Sequence, residues 1–442
     1  MLDKSNENIS SDSINIIPAF KENNIPIVFS CDDNYLTYLA VVLQSIKANS
    51  SKDCNYDICV LYDKLDKNLM QRIIHFIQNE NFSLRFINIS FFIKQAKQKI
   101  HFHTVAHFKE ATYYRFFIPK IFKNFEKLIY MDLDMIVLKD LKELFLKDFK
   151  TPLAAVKEYL VILIVTKCLD LYYVDFIKTK KLIKNVKNYI QAGLLIYNIP
   201  ECINLNFTQL CLDKLKELQD PPIVDQDVIN SAFEDKITFL KSNWNYTWNL
   251  EVKYPNFESL LPKDLAKEAS KAFKNPYIIH YNDIFKPWNC PRLPKAHLWW
   301  HYARQTPFYE EILYKNLKQD LLHLVQHKSN GAVLQTKSHL SYKLGNEILS
   351  IKNNPLKTLI LPFTLTYIVL KHKFTKALLN LLSSLNPNLK PLPLNAYLDY
   401  NEALKVKKHL SYRLGNALLK NPFTFAFKVK KIYKEWKEEK DE

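Results

Sequence analysis

Two aspartates flank a single leucine at Asp132-Leu133-Asp134. On extended chain, residues i and i+2 project to the same side, so both carboxylates can reach one hard divalent cation. Mn²⁺ or Mg²⁺ held there would bridge two phosphates and act as a Lewis acid on a departing diphosphate. Asp-x-Asp is common by chance, and alone the triplet decides little. Its surroundings add weight. KLIYMDLDMIVL (127–138) reads as one buried strand, where two carboxylates are strongly unfavourable without a compensating cation.

His280 is a candidate third ligand. It follows Ile278 and Ile279 at what reads as a strand end, and a neutral imidazole suits Mn²⁺. Lys286, six residues on, offers a point charge to a phosphate. A third group is Asp225-Gln226-Asp227, ahead of apolar Val228 and Ile229. A helix N-terminus capped by a side chain accounts for one of these polar residues. It does not account for three side by side.

The elements that must position these groups alternate in period. Ile25–Ser30, Tyr56–Leu61 and Leu84–Ile89 read as short buried strands. Between them Leu36, Leu39, Ala40, Leu43 and Ile46, then Leu69, Ile73, Phe76 and Ile77, fall at helical spacing. A further helical stretch is expected around Thr112–Pro119, ahead of the strand at 127–138. Strands separated by helices imply a parallel sheet with crossover helices, whose ligands sit at the carboxyl ends of the strands. Asp32–Asp33 and Asp132–Asp134 lie at two such ends. The chain has only four glycines and neither GxGxxG nor GxxxxGK[ST]. A bound diphosphate would therefore be neutralised by a cation and side chains rather than a glycine-rich cradle.

Late in the chain HLSYKLGN (339–346) recurs as HLSYRLGN (409–416). Leu340, Leu344 and Ile348, and then Leu410, Leu414 and Leu418, each share a helical face. Residues 331–442 hold 19 Lys or Arg against 8 Asp or Glu, a large part of the net charge of +17. That surplus suits an anionic partner. No nucleic-acid module accompanies it, which disfavours nucleic acid. The runs LILPFTLTYIVL and FTFAFKVKKIY suit a segment lying in a bilayer interface. No run reaches the roughly 18 apolar residues that span a bilayer. Seven scattered cysteines without CxxC spacing suit a reducing compartment. The expected location is the cytoplasm, peripheral on the inner face of the cytoplasmic membrane.

The combination resembles glycosyltransferase family 8, especially the bacterial lipooligosaccharide galactosyl- and glucosyltransferases. IPIVFSCDDNYLTYLAVVLQSI is similar to the family's opening strand, turn and helix. HFKEATYYRFFIPKIFKNFEKLIYMDLDMIVLKDLKELF is similar to the stretch from its arginine through the Asp-x-Asp, and QAGLLIYNI, DQDVIN and HYNDIFKPW to its later motifs. The resemblance implies an α/β, GT-A (Rossmann-like) nucleotide-sugar-binding domain with a mostly parallel sheet, plus a mainly helical C-terminal extension. The expected divisions are a tail at 1–23, the catalytic domain at 24–300, linker helices at 301–330 and the basic module at 331–442.

The resemblance also implies roles. The backbone of Ser30 and the side chains of Asp32, Asn34 and Tyr35 would hold uridine, with Lys286 on the diphosphate. Asp132, Asp134 and His280 would ligate Mn²⁺. Arg115, Glu158, Gln191, Ala192, Asp225 and Gln226 would surround the hexose, with His107 near it and Gln226 at the reacting face. Three departures stand out: Gln191-Ala192-Gly193 where the family has Asn-Ala-Gly, Glu158 where aspartate is common, and Asp283 where it carries glycine. The implied activity is retaining transfer of galactose or glucose from a UDP-hexose donor to a lipooligosaccharide or other lipid-linked glycan acceptor. The 331–442 module resembles C-terminal extensions of some bacterial surface-polysaccharide transferases and would contact the membrane. Two other readings are a catalytically silent UDP-sugar or glycan organiser, and a glycogenin-like enzyme that glucosylates its own tyrosine.

Overall fold

In the computed structural model residues 15–104, 109–317, 331–351, 357–385, 393–397 and 399–441 are described. The chain forms two compact units, Met1–Asn316 and Leu317–Glu442.

The first unit is built on β1 (Asn24–Ser30), β2 (Asn55–Tyr62), β3 (Phe82–Asn88), β4 (Lys127–Met131), β5 (Met135–Val137), β6 (Leu153–Lys157), β7 (Ile190–Asn198), β8 (Ile237–Phe239), β9 (Tyr246–Thr247) and β10 (Ile278–His280). A seven-stranded sheet runs in the order β3-β2-β1-β4-β7-β6-β8, and a three-stranded one β5-β10-β9. In the large sheet every pairing is parallel except those of β7 with β4 and β6. Near-continuous apolar runs are what a sheet covered on both faces requires. Accordingly Ile27, Phe29, Ile58, Val60, Leu128 and Ile129 are fully buried. The helix Leu36–Ala48 buries Leu36, Leu39, Leu43 and Ile46, as its spacing predicts.

Residues 127–138 are not one strand. Strand β4 ends at Met131, Asp132–Asp134 make a turn, and β5 enters the second sheet. Apolar residues on both sides of so short a turn hide it from any periodicity argument. The expected helix near Thr112–Pro119 is a 3₁₀ segment, Glu110–Phe117, followed by the short helix Ile118–Ile121. Of the expected tail, residues 15–19 are tied down: Ala19 N donates to Asp57 and Arg85 to Ile17 O.

The second unit is helical. Gly331–Ser338 and Leu340–Ser350 meet at His339, and Tyr400–Lys408 and Leu410–Lys420 at His409. The two histidines share one extended backbone geometry, φ near −60° and ψ near 145°. The long helices Lys357–Leu385 and Phe425–Asp441 complete it. No helix among the described residues is long and apolar enough to cross a membrane.

Candidate functional site

The chain order of the large sheet reverses direction at β1, with β2 on one side and β4 on the other. A crevice opens beyond the carboxyl ends of strands at such a point. A cavity of about 350 Å³ lies there, lined by Ser30 at the end of β1, Asp32 and Tyr35 after it, and Asp132 and Asp134 after β4.

The split between β4 and β5 builds a candidate ion site. Antiparallel pairing sets His280 of β10 against Met135 of β5, and Tyr281 N donates to Asp134 O at 2.8 Å. That register brings the imidazole beside the aspartates. His280 Nε2 is 3.1 Å from Asp134 Oδ1 and 3.8 Å from Asp132 Oδ2, and all three groups offer ligand atoms within 4.8 Å of one another. Among the described residues one other group, His101, His103 and Asp220, could share an ion; none of its members lines the cavity.

Hydrogen bonding decides what the imidazole presents. Gln191 Oε1 accepts from Asn245 Nδ2 at 2.8 Å, so Asn245 turns its oxygen to His280 Nδ1, 3.2 Å away. Nδ1 then carries the proton, and Nε2 points a lone pair at Asp134 Oδ1. That buried oxygen has no hydrogen-bond donor. Facing lone pairs repel unless a cation lies between them, so the donor set fits a divalent ion. One nitrogen and hard carboxylate oxygens suit Mn²⁺ or Mg²⁺.

Two cations already brace the aspartates. Lys286, 3% exposed, donates to Asp134 and to Tyr281 O. Burial pushes the Asp134 carboxyl upward, but the Lys286 ammonium beside it outweighs burial and holds it below its ordinary value. Arg115, also 3% exposed, donates to Asp132 Oδ1 at 2.8 Å, to Thr112 O at 2.9 Å and to Ala192 O. Its Nη1 is 3.1 Å from Asp225 Oδ2 and its guanidinium covers the Tyr130 ring at 4.4 Å.

The other expected sugar-binding residues line the same cavity. Asp225 and Gln226 lie in the first turn of the helix Val224–Phe233. Thr112 donates to Asp225 at 2.6 Å, and burial pushes the Asp225 carboxyl up to about 6 despite Arg115. Gln226 Oε1 accepts from Ala192 N at 3.0 Å. Glu158 precedes the helix Tyr159–Thr166 and accepts from Leu160 N at 3.3 Å; burial raises it to about 7. Gln191 lines the cavity, but its oxygen is occupied by Gly193 N and Asn245.

On the nucleotide side Asp32 Oδ1 accepts from Asn34 N and Tyr35 N, and burial raises its carboxyl. Tyr35 lines the cavity, whereas Asn34 is exposed and outside its lining. His107 lies outside the described residues. Asp283 has φ 79° and pairs with Lys253. The loop thus keeps a left-handed backbone that favours glycine and that aspartate tolerates.

Sequence reasoning missed Asn245, Thr112, Tyr130 and Tyr189, which orient the residues it found. It also missed an apolar wall of Leu160, Val161 and Ile164. The signal for that wall was the run YLVILIV after Glu158.

A Rossmann-like, mostly parallel sheet with an acidic ion site at its switch point is a GT-A architecture. The chain belongs to glycosyl transferase family 8, whose family model matches residues 26–290. Residues 302–438 match a domain of unknown function (DUF8374). No curated protein matches the chain. Among solved structures it is similar to the bifunctional glycosyltransferase WbbM, with a TM-score of 0.57 and 28% identity over 68% of this chain and 53% of that one. It thus spans about half of WbbM. It is also similar to the galactosyltransferase LgtC, crystallised with donor and acceptor sugar analogs, with a TM-score of 0.52 and 20% identity over 64% of this chain and 96% of that one.

Proposed function

We propose that this protein is a Mn²⁺-dependent, retaining hexosyltransferase that moves galactose or glucose from a UDP-sugar to a membrane-linked glycan. The observation that carries the reading is the convergence of Asp132, Asp134 and the His280 Nε2 lone pair at the mouth of a cavity lined by Ser30, Asp32 and Tyr35. LgtC, with its bound donor and acceptor analogs, and the family match support a sugar donor.

The chemistry breaks the anomeric C–O bond to UDP and forms a new one to an acceptor hydroxyl. A divalent ion on Asp132, Asp134 and His280 would supply positive charge at the developing diphosphate. Lys286, buried against Asp134 at the cavity lining, would add a second positive charge for the same phosphates. Arg115 holds Asp132 and Asp225 together across the cavity.

Retention commonly uses a carboxylate nucleophile on the face opposite the leaving group. Asp225 is a poor choice, because Thr112 donates to its Oδ1 and the Arg115 guanidinium lies 3.1 Å from its Oδ2, drawing charge from the carboxylate. Gln226 is a neutral amide and a weak nucleophile. Front-face attack follows: the leaving phosphate oxygen accepts the acceptor's proton while the Gln226 carboxamide stabilises positive charge at the anomeric carbon.

Membrane contact is the second part of the proposal. The helix Lys357–Leu385 exposes Ile360, Phe363, Tyr367, Leu370, Phe374 and Leu381. With Leu378, also exposed, their spacing of three and four puts them on one face, and the helix carries four lysines and no acid. Apolar surface beside positive charge suits an anionic bilayer interface.

The test is UDP release from UDP-galactose and UDP-glucose with Mn²⁺, Mg²⁺ or EDTA. One donor should turn over in a metal-dependent way, and Asp134→Ala should remove that turnover. Equal release with EDTA would overturn the reading. Intact-mass analysis of the same mixtures separates transfer to a glycan from hexose added to the chain's own tyrosines.

A further inference from the structure

Behind the cavity wall sits a carboxylate that the mechanism above does not use. Asp227 is fully buried and does not line the cavity. Its Oδ1 accepts from Tyr173 OH and Tyr189 OH, both at 2.6 Å, and its Oδ2 accepts from Ile223 N at 2.8 Å. Neither tyrosine has any significant exposure. Three donors on one buried carboxylate are a fully satisfied network, the kind that specifies a single arrangement.

Only one of the two phenols reaches the site. Tyr189 OH lies 3.5 Å from Gln226 Nε2, while Gln226 Oε1 is held by Ala192 N. Because Asp227 takes the Tyr189 hydrogen, the phenol oxygen presents a lone pair to Gln226. A lone pair selects the NH₂ end of a carboxamide. The backbone N–H of Ala192 selects the oxygen end. Both ends of the amide are thus fixed, one of them through Asp227. The same carboxylate grips Ile223 N, one residue before Val224, whose φ of 28° is strained for a β-branched residue.

We propose that Asp227, acting through Tyr189, is the positioning group that locks the Gln226 carboxamide in one orientation against the transferred sugar. This rests on the proposed role of Gln226, and its energetic signature differs from that of a merely structural hydrogen bond. Tyr173 supplies the control. It gives the same carboxylate oxygen a bond of the same length from a buried ring, and its hydroxyl also lies 3.1 Å from Tyr189 OH, so it reaches Gln226 only through Tyr189, which keeps its own bond to Asp227 when Tyr173 is changed.

The experiment measures UDP release, with water as acceptor, from the full chain with Mn²⁺ and whichever of UDP-galactose and UDP-glucose turns over. Tyr189→Phe should lower kcat about 10- to 100-fold, the scale of a misplaced catalytic group, with donor KM changed less than about threefold. Tyr173→Phe should lower the melting temperature by a similar amount yet leave kcat within about twofold. In a Gln226→Ala background, adding Tyr189→Phe should change kcat by less than about twofold, because the group being positioned is gone. Equal loss of kcat in the two Phe variants, or full additivity with Gln226→Ala, would overturn the inference alone. Absence of UDP release by the unaltered protein would overturn the functional reading, and this inference with it.

Discussion

At Gly193 a single missing methyl group holds the ion site open. A Cβ there would stand 2.4 Å from His280 Cε1, 2.6 Å from Asp132 Oδ2 and 2.9 Å from Gln191 Oε1. None of these yields cheaply, since Asn245 fixes the imidazole and Arg115 and Tyr130 fix Asp132. Gly193→Ala should weaken Mn²⁺ binding about 10- to 100-fold by calorimetry, with the far-UV circular dichroism unchanged. Glu158 gives a second test. Its carboxyl rises from an ordinary 4.5 to about 7 by burial, so the folded protein holds this proton more tightly than the unfolded chain. The resulting stability is present below pH 4.5 and is lost as pH climbs through 7. Urea titrations should show Glu158→Gln escaping a loss of roughly 2–3 kcal/mol that the unaltered protein suffers between pH 4.5 and 8. The residues that do chemistry announce themselves by type and motif. Those that aim them, such as Asn245 and Tyr189, are ordinary in sequence and gain meaning from partners tens of residues away.

Among the elements, the two octamer helices of the second unit are joined through their glycines. A Cβ on Gly345 would lie 1.6 Å from Ser411 O, and one on Gly415 1.7 Å from Ser341 O. The serine of each helix therefore faces the glycine of the other, and the backbones approach closely because both positions are small. Leu344 and Leu414 are buried nearby, and His339 Nδ1 meets Tyr412 OH at 3.1 Å. Gly345→Ala must push the helices apart. A loss of roughly 1–3 kcal/mol from the unfolding of residues 317–442 is the expected scale, read by hydrogen exchange across both octamers. Exchange unchanged from the unaltered protein would show that the contact is not formed. The octamers were visible in the sequence as a repeat, but their mutual contact was not. A shared sequence says nothing about which faces meet.

On the scale of the whole molecule, a family 8 domain is joined to a basic helical unit with an exposed apolar stripe. If that stripe docks on lipid, the full chain should co-sediment with anionic vesicles, less so as salt rises, and only weakly with zwitterionic ones. Replacing Phe363, Leu370 and Phe374 by serine should cut vesicle binding at least about tenfold, since each loses an exposed apolar side chain from the contact. UDP release from a soluble donor should stay unchanged. Binding that survives the triple change would move the membrane contact elsewhere.

The alternation of apolar runs and helical spacing was enough to call an α/β parallel sheet with crossover helices, because strand burial and helix faces are written locally in the order of residues; it did not show that β7 runs antiparallel to β4 and β6. The grouping of Asp132, Asp134 and His280 as candidate ion ligands was legible too, since their types and flanking strands narrow the chemistry they can do. Tertiary structure alone decided that the Asp-x-Asp turns between two sheets, that Asn245 sets the His280 tautomer and that Tyr189 reaches Gln226. These depend on strand pairing and side-chain contact across long chain separations, and no local pattern encodes which distant neighbour a strand or a hydroxyl will find.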